Sequence, residues 1–446
     1  MATEYTRARQ IILDNTMRLK SEIIQIEQAL NRVIAENVIA EMNIPPFKRS
    51  PLDGFALRAA DTVNASSYNP VKLKLSGISD CGHPFKGSLD MGQCLRIFTG
   101  APVPESVDAV IAQEEVKLEN DTITVFQPLS KGDNIVQPGE DIKSGELIIK
   151  NGSQLKPAHL GLLASLGRNY VKVYRQPVVA VFSTGQELAA PGSQLQEAEI
   201  YDCNTTLISA LVKEAQGIPL TSKPLADNVE LLAASISEYL KQADALITSG
   251  GVSVGDHDLV AQAVKKAGGE ILFWRLKMKP GTPMLAAKLN DKLIFCLSGN
   301  PGAAHVTFDL FVRPSLLQMS GNHSWRRPDL KAVLEHPLNK NNGQNRFIRA
   351  KCKYSLADGL YRVATAEREK PGSISASIES NALIYRAAGA SKLEIGESIT
   401  IELTDLPEVK TGAGLLVPTA SKNIERKKIK RFFPKKVNQP MANSIS

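Results

Sequence analysis

Four short segments carry residue types that suit an anionic, phosphate-bearing ligand. They are Ser183-Thr184-Gly185-Gln186-Glu187, Ser249-Gly250-Gly251-Val252-Ser253-Val254-Gly255-Asp256-His257-Asp258, Lys277-Met278-Lys279-Pro280-Gly281 and Ser298-Gly299-Asn300-Pro301-Gly302. Each follows an apolar run. Two of them precede helical text, so free backbone N–H groups and a positive helix end would face one crevice. Ser183, Thr184, Gly250, Gly251, Ser253, Gly255, Ser298, Gly299, Asn300 and Pro301 are the candidate binding positions. Lys277 and Lys279, followed by Pro280 and Gly281, add positive charge in the same layer. One such loop is as readily a plain turn; four in succession with one composition favour a ligand crevice. It is not a Walker A loop, because G-x-x-x-x-G-K-[ST] is absent, and the dinucleotide fingerprint G-x-G-x-x-G is absent too.

Carboxylates accompany these loops. Glu187, Asp202, Asp227, Asp256 and Asp258 all fall near the same strand ends. Acids gathered beside an anion repel it unless a cation intervenes, and a hard, oxygen-liganded ion such as Mg2+ resolves that conflict. Any one of them also reads as a helix cap or surface charge, and Asp256 suits the N-cap of a helix beginning near Leu259. The six histidines show no H-x-x-x-H or H-E-x-x-H pairing, which argues against zinc, and His257 and His305 read as structural. Asp53-Gly54, within Ser50–Ala56, is a compact turn and by itself a weak signal.

These residues need a scaffold. From 177 to 327, apolar runs too continuous for one-sided strands alternate with helical text, which predicts a doubly wound parallel α/β domain covered on both faces. Ligands bind such sheets beyond the carboxyl ends of the strands. Residues 46–146 are short apolar runs between Gly and Pro turns and read as a β-rich domain. Residues 328–410 return to alternating text and read as a second β domain. Residues 6–40 carry apolar positions at mixed three and four spacings and read as helical. Residues 1–45 with 147–176 form the remaining domain, and 411–446 a basic tail.

Composition narrows the class. The chain has 446 residues, 43% hydrophobic and 22% charged, enough for two to four domains at roughly 100–200 residues each. No run of about 18 apolar residues suggests a membrane span. Five cysteines without C-x-x-C spacing, and a charged N-terminus, fit a reducing cytoplasm. The net charge of +7 resides in 421–446, where eight Lys and Arg face one Glu, so the rest sums to about zero. The tail reads as a solvated terminus, with nucleic acid or an anionic partner as the sharper alternative.

Taken in order, the motifs resemble those of the molybdopterin molybdenumtransferase family, which includes bacterial MoeA and the gephyrin E domain. They are PPFKRSPLDGFALRAADT, LRIFTGAPVPESVDAVIAQEEV, GEDI, STGQEL, IYDCN, SGGVSVGDHD, KPGTP and SGNPGAA, spread over residues 8–410. The resemblance implies an elongated multidomain homodimer with a C-terminal β-barrel-like domain and an active cleft shared between subunits. It implies insertion of molybdenum from molybdate into adenylylated molybdopterin, with Mg2+-dependent hydrolysis releasing AMP. It assigns Asp53, Thr99, Asp141, Glu187, Asp227 and Asp258 to catalysis, with Glu187, Asp227 and Asp258 on the metal. Ser373 or Ser375 matches a serine of the last domain. It also implies an upstream adenylyltransferase and recipient molybdoenzymes as partners. The chain departs from the family pattern at Leu52, Phe55, Gln186 and Ser298, and Gln186 removes one carboxylate. A non-catalytic molybdopterin carrier or scaffold is the alternative reading.

Overall fold

The computed structural model describes residues 2–252, 259–341, 343–370 and 372–410. Ser253, Gly255, Asp256, His257, Asp258 and the basic tail therefore lie outside the described residues.

Helix α1 (Tyr5–Asp14) buries Ala8 and Ile12, four apart on one face. The helix ends at Asp14, so the helical reading of 6–40 is corrected beyond that point. β1 (Ser21–Gln25) pairs antiparallel with β10 (Tyr170–Tyr174), and β2 (Val38–Ile39) with β9 (Leu147–Ile149). Ser21–Gln25 alternates exposed and half-buried positions, a strand period that mixed three and four spacings conceal. Its partner lies far along the chain, where local periodicity carries no sign of it. Around these strands Ile26, Ala29, Ile34 and Val38 pack on Ile149, Leu163, Val171 and Val173, with α2 (Pro157–Ser165) closing the unit. Helix α1 instead packs on the α/β core, and Thr3 bridges to Leu276.

The β-rich unit is one six-stranded sheet. Its strands are β3 (Gly54–Leu57), β4 (Val71–Ser79), β5 (Gln93–Ile97), β6 (Ala109–Ala112), β7 (Val116–Glu119) and β8 (Thr122–Val125), in the order β6-β3-β5-β4-β8-β7. Pairing of Gly54 with Ile97 brings Asp53, just before β3, beside Thr99, just after β5.

The α/β unit begins with β11 (Val178–Ser183). A short pair, β12 (Leu188–Ala189) and β13 (Ile200–Tyr201), leads into α3 (Asn204–Glu214). Then follow β14 (Ile218–Thr221), α4 (Val229–Gln242), β15 (Ala245–Ser249), α5 (Leu259–Lys266), β16 (Glu270–Trp274), β17 (Met278–Lys279), β18 (Leu285–Leu289), β19 (Lys292–Leu297), α6 (Pro301–Thr307) and α7 (Arg313–Met319). The sheet order is β14-β11-β15-β19-β18-β16. β11, β14, β15 and β19 are mutually parallel. β18 is antiparallel to both its neighbours, which leaves β16 running with the parallel set. The expected all-parallel sheet is thus mixed. The reason is local: Asn290 and Asp291 both take positive φ, the geometry of a tight hairpin between β18 and β19.

Both sheet faces are covered, which is why the strands are apolar throughout rather than alternating. Val179, Val181, Ile247 and Phe295 pack with Ile208, Val212 and Phe311 on one side. Ala180, Phe182, Leu246 and Ile294 pack with Leu232, Ile236, Val260 and Val264 on the other.

The last unit contains β20 (Asp329–Leu334), β21 (Asn345–Ser355), β22 (Leu360–Thr365), α8 (Ser375–Glu379), β23 (Ala382–Arg386), β24 (Ser398–Leu403) and β25 (Glu408–Lys410). The order β21-β22-β20-β24-β23 closes on itself through β23 pairing with β21, making a small barrel. β17 and β25 add to β21.

Candidate active site

The carboxyl ends of β11, β15 and β19 enclose a cleft of about 180 Å3. It is lined by Ser183, Thr184, Glu187, Leu188, Ile200, Tyr201, Asp202, Cys203, Asn204, Ser249, Gly250, Gly299, Asn300 and Pro301. Three of the four segments singled out by composition therefore meet. The place follows from topology, since parallel strand ends leave backbone groups and helix starts on one edge.

Buried polar side chains hold the loops in register. The Ser183 hydroxyl donates to Asp202 Oδ1 at 2.9 Å, and that same oxygen accepts the Thr205 amide at 3.0 Å, fixing the entry to α3. The Asn204 side-chain amide donates to Ser249 Oγ at 2.7 Å and to the Gly299 carbonyl at 2.8 Å. Ser249 Oγ in turn donates to the Ser298 carbonyl at 3.1 Å. The α3 start thus ties together the ends of β15 and β19. Thr184 donates its hydroxyl to Asp227 Oδ1.

Two glycines are required by close approach. Gly250 has φ +92, and a Cβ there would lie 2.2 Å from the Thr184 carbonyl oxygen. Gly251 has φ +64, and its Cβ would lie 2.6 Å from Val260 Cγ2. Pro301 opens α6 at its first turn, after Asn300.

Glu187 is exposed at the cleft; its carbonyl accepts the Ile200 amide at 2.8 Å, while its carboxylate forms no hydrogen bond among the described residues. Asp227 has one oxygen engaged by Thr184. A free carboxylate oxygen is of the type that a hard cation such as Mg2+ takes, although Asp227 is not among the residues lining the cleft. Among the described residues no group of three or more His, Cys, Asp or Glu could hold a metal, and Asp258, the third expected ligand, lies outside them.

Lys277, Lys279, Pro280 and Gly281 do not line the cleft. β18 separates β16 from β19, so the segment after β16 emerges at the sheet edge. Lys277 lies 3.3 Å from Glu4, an exposed pair worth little to stability. Lys279 pairs in register with Arg346 of the barrel. Gly281 (φ +96) packs against α6, its Cβ position lying 2.2 Å from Thr307 Cγ2.

Asp53, Thr99 and Asp141 sit in or beside the β-rich sheet, and none lines the cleft. Thr99 donates both its amide and its hydroxyl to Asp53 Oδ1, each at 2.8 Å. These hydrogen bonds, helped by Arg96, hold the Asp53 carboxyl below its usual range. Asp141 is exposed, with its amide bonded to the Ile44 carbonyl at 3.0 Å.

The segment carrying Ser373 borders the cleft. A Cβ at Gly372 would lie 3.6 Å from Asn300 Oδ1. Buried Arg349 holds that segment, donating to the Ser373 carbonyl at 2.6 Å, and Ser373 and Ser375 hydroxyls lie 3.0 Å apart. Sequence reasoning passes over Asn204 as a site residue and includes Ser249 only as part of its loop. Asn204 lies in the quoted IYDCN motif, but its partners are 45 and 95 positions away.

The chain is matched by three family models: "MoeA N-terminal region (domain I and II)" over residues 3–167, "Probable molybdopterin binding domain" over 180–318, and "MoeA C-terminal region (domain IV)" over 331–404. A molybdopterin molybdenumtransferase of Bacillus subtilis (strain 168) is 34% identical over 388 residues, 86% of this chain and 90% of the relative. One from Haemophilus influenzae is 36% identical over 385 residues, 86% of this chain and 94% of the relative. The crystal structure of the molybdopterin biosynthesis MoeA protein from Pyrococcus horikoshii superposes with a TM-score of 0.79 at 29% identity, over 91% of this chain and all of that one. With strand ends, cleft and all three regions in agreement, the chain belongs to the MoeA family.

Proposed function

We propose that this chain is a molybdopterin molybdenumtransferase that inserts molybdenum from molybdate into adenylylated molybdopterin and releases AMP. The observation that carries this reading is the cleft in which Ser183, Thr184, Ser249, Gly250 and Gly299–Pro301 converge beside Glu187. The names of curated relatives at 34% and 36% identity support it.

In this reading the Thr184, Gly250 and Asn300 loops hold the phosphate and pterin end of the substrate. Glu187 and Asp227, with Asp258, would hold Mg2+, which would supply positive charge to offset charge building on the phosphoanhydride. The Asn204 and Asp202 network keeps the loops preorganised, so little reorganisation accompanies the reaction. Asp53, Thr99 and Asp141 belong to the β-rich unit and act on the cleft of a second subunit in a homodimer. Lys277 and Lys279 contribute positive field from the segment after β16, outside the cleft, and the segment carrying Ser373 approaches Asn300 at Gly372. An upstream adenylyltransferase supplies the substrate and molybdoenzymes receive the product. Incubation of the chain with adenylylated molybdopterin, Mg2+ and molybdate should release AMP. Binding without release would leave a carrier.

A further inference from the structure

Interior and exterior side chains alternate along barrel strands. β21 turns Ile348, Ala350 and Cys352 toward the C-terminal barrel core, and β23 does the same with Ala382 and Ile384. One step of the same parity toward the barrel end brings Arg346 and Arg386, which are direct partners across the β21–β23 ladder. Like charges placed opposite each other destabilise a sheet. On the other edge of β21, Lys279 is the in-register partner of Arg346. One rung therefore carries three cations on three adjacent strands.

Arg386 is only 5% exposed. Its Nη2 donates to the Ser391 carbonyl and, at 3.5 Å, to the Asn339 carbonyl, while its buried Nε has no partner. The Arg346 guanidinium forms no hydrogen bond or ion pair among the described residues. Both arginines line a cavity of about 240 Å3 at the barrel mouth, with Asn339, Thr365 and Glu369. Glu369 lines the same cavity and feels Arg346, but it also accepts from Arg349 Nε at 3.0 Å, so one carboxylate is shared among three guanidinium groups. Barrel mouths are common ligand sites, and this cavity is smaller than the roughly 300–1,000 Å3 that drug-sized ligands occupy. A small anion would relieve the repulsion along the rung, and guanidinium groups suit its oxygens in a bidentate fashion.

We propose that the mouth of the C-terminal barrel is a binding site for a small tetrahedral oxyanion, held by Arg346 and Arg386. The cavity shares no lining residue with the α/β cleft, so variants at Arg346 and Arg386 test it separately from the transferase reading, in which Lys279 of the rung also takes part.

The test is calorimetric titration of inorganic sulfate into the full chain at constant ionic strength, with phosphate and molybdate as competitors to rank the oxyanions. The wild type should bind sulfate saturably. Arg346→Gln and Arg386→Met should each weaken it about tenfold or more, whereas Asn204→Ala, which alters the cleft, should not. Arg346 is exposed, so Arg346→Gln remains decisive if Arg386→Met fails to fold. Absence of saturable binding in the wild type, or wild-type affinity in Arg346→Gln, would overturn the proposal. So would loss of the sulfate heat in Asn204→Ala alone, which would place the anion in the cleft.

Discussion

Asn204 Nδ2 lies 2.7 Å from Ser249 Oγ, and its second hydrogen reaches the Gly299 carbonyl. One buried amide thus joins a helix start to two strand ends that line the cleft. Asn204→Ala should lower stability by about 1–3 kcal/mol, because it strands buried polar partners. It should also lower kcat/KM for AMP release by about 10–100-fold through loss of loop register. Urea unfolding and steady-state kinetics on one preparation check both; normal kinetics in a destabilised variant would confine Asn204 to a structural role.

Gly250 and Gly299 make a matched pair of substitutions. A methyl at Gly250 would meet the Thr184 carbonyl oxygen at 2.2 Å from a backbone of φ +92, while one at Gly299 has its nearest neighbour at 3.6 Å. Gly250→Ala should therefore cost more than about 2 kcal/mol and Gly299→Ala less than about 1 kcal/mol. Thermal melts of the two variants would reveal equal costs if the close approach were wrong.

Asp53 and Thr99 predict a titration. Two hydrogen bonds from Thr99 to one carboxylate oxygen favour the ionised form, so Asp53 should titrate below 3.8. Thr99→Val removes the hydroxyl donor and keeps the amide, and should move that titration upward without reaching an unperturbed position. Carboxyl NMR of the two proteins measures it; an unmoved Asp53 would contradict the arrangement.

Glu402 sets a pH dependence of stability. Burial, Asp309 and Asp329 push its carboxyl up to about 7, opposed by Arg9 and Arg327. Its folded-state value lies above the unfolded value of 4.5, so between those values the folded chain holds more protons than the unfolded one. Its contribution is least unfavourable at acid pH and becomes a cost as pH rises through about 7. Glu402→Gln should thus be more stable than wild type at pH 8, by at most about 3 kcal/mol, and the gain should vanish near pH 4. Chemical denaturation at the two pH values would contradict this if the difference were constant.

Much of the α/β unit is legible because strands buried on both faces run apolar up to their carboxyl ends, as Val178–Phe182 and Ala245–Ile247 do before Ser183 and Thr248-Ser249. The cleft was legible because Gly, Ser and Asn gather where strands end. β1 was not, since SEIIQ reveals its period only when the strand at Tyr170–Tyr174 is beside it. Chain order groups Lys277 and Lys279 with the cleft. Sheet order separates them, because the hairpin at Asn290-Asp291 inserts β18 between β19 and β16.

The central claim is that Glu187, at the end of β11, serves metal-dependent release of AMP from the substrate in the cleft. The most direct measurement is single-turnover AMP release from adenylylated molybdopterin, with Mg2+ and molybdate, by the wild type and Glu187→Ala at matched circular dichroism. The account predicts release by the wild type that requires Mg2+, and a fall of about 100-fold or more in Glu187→Ala. Equal release by the two proteins would contradict it.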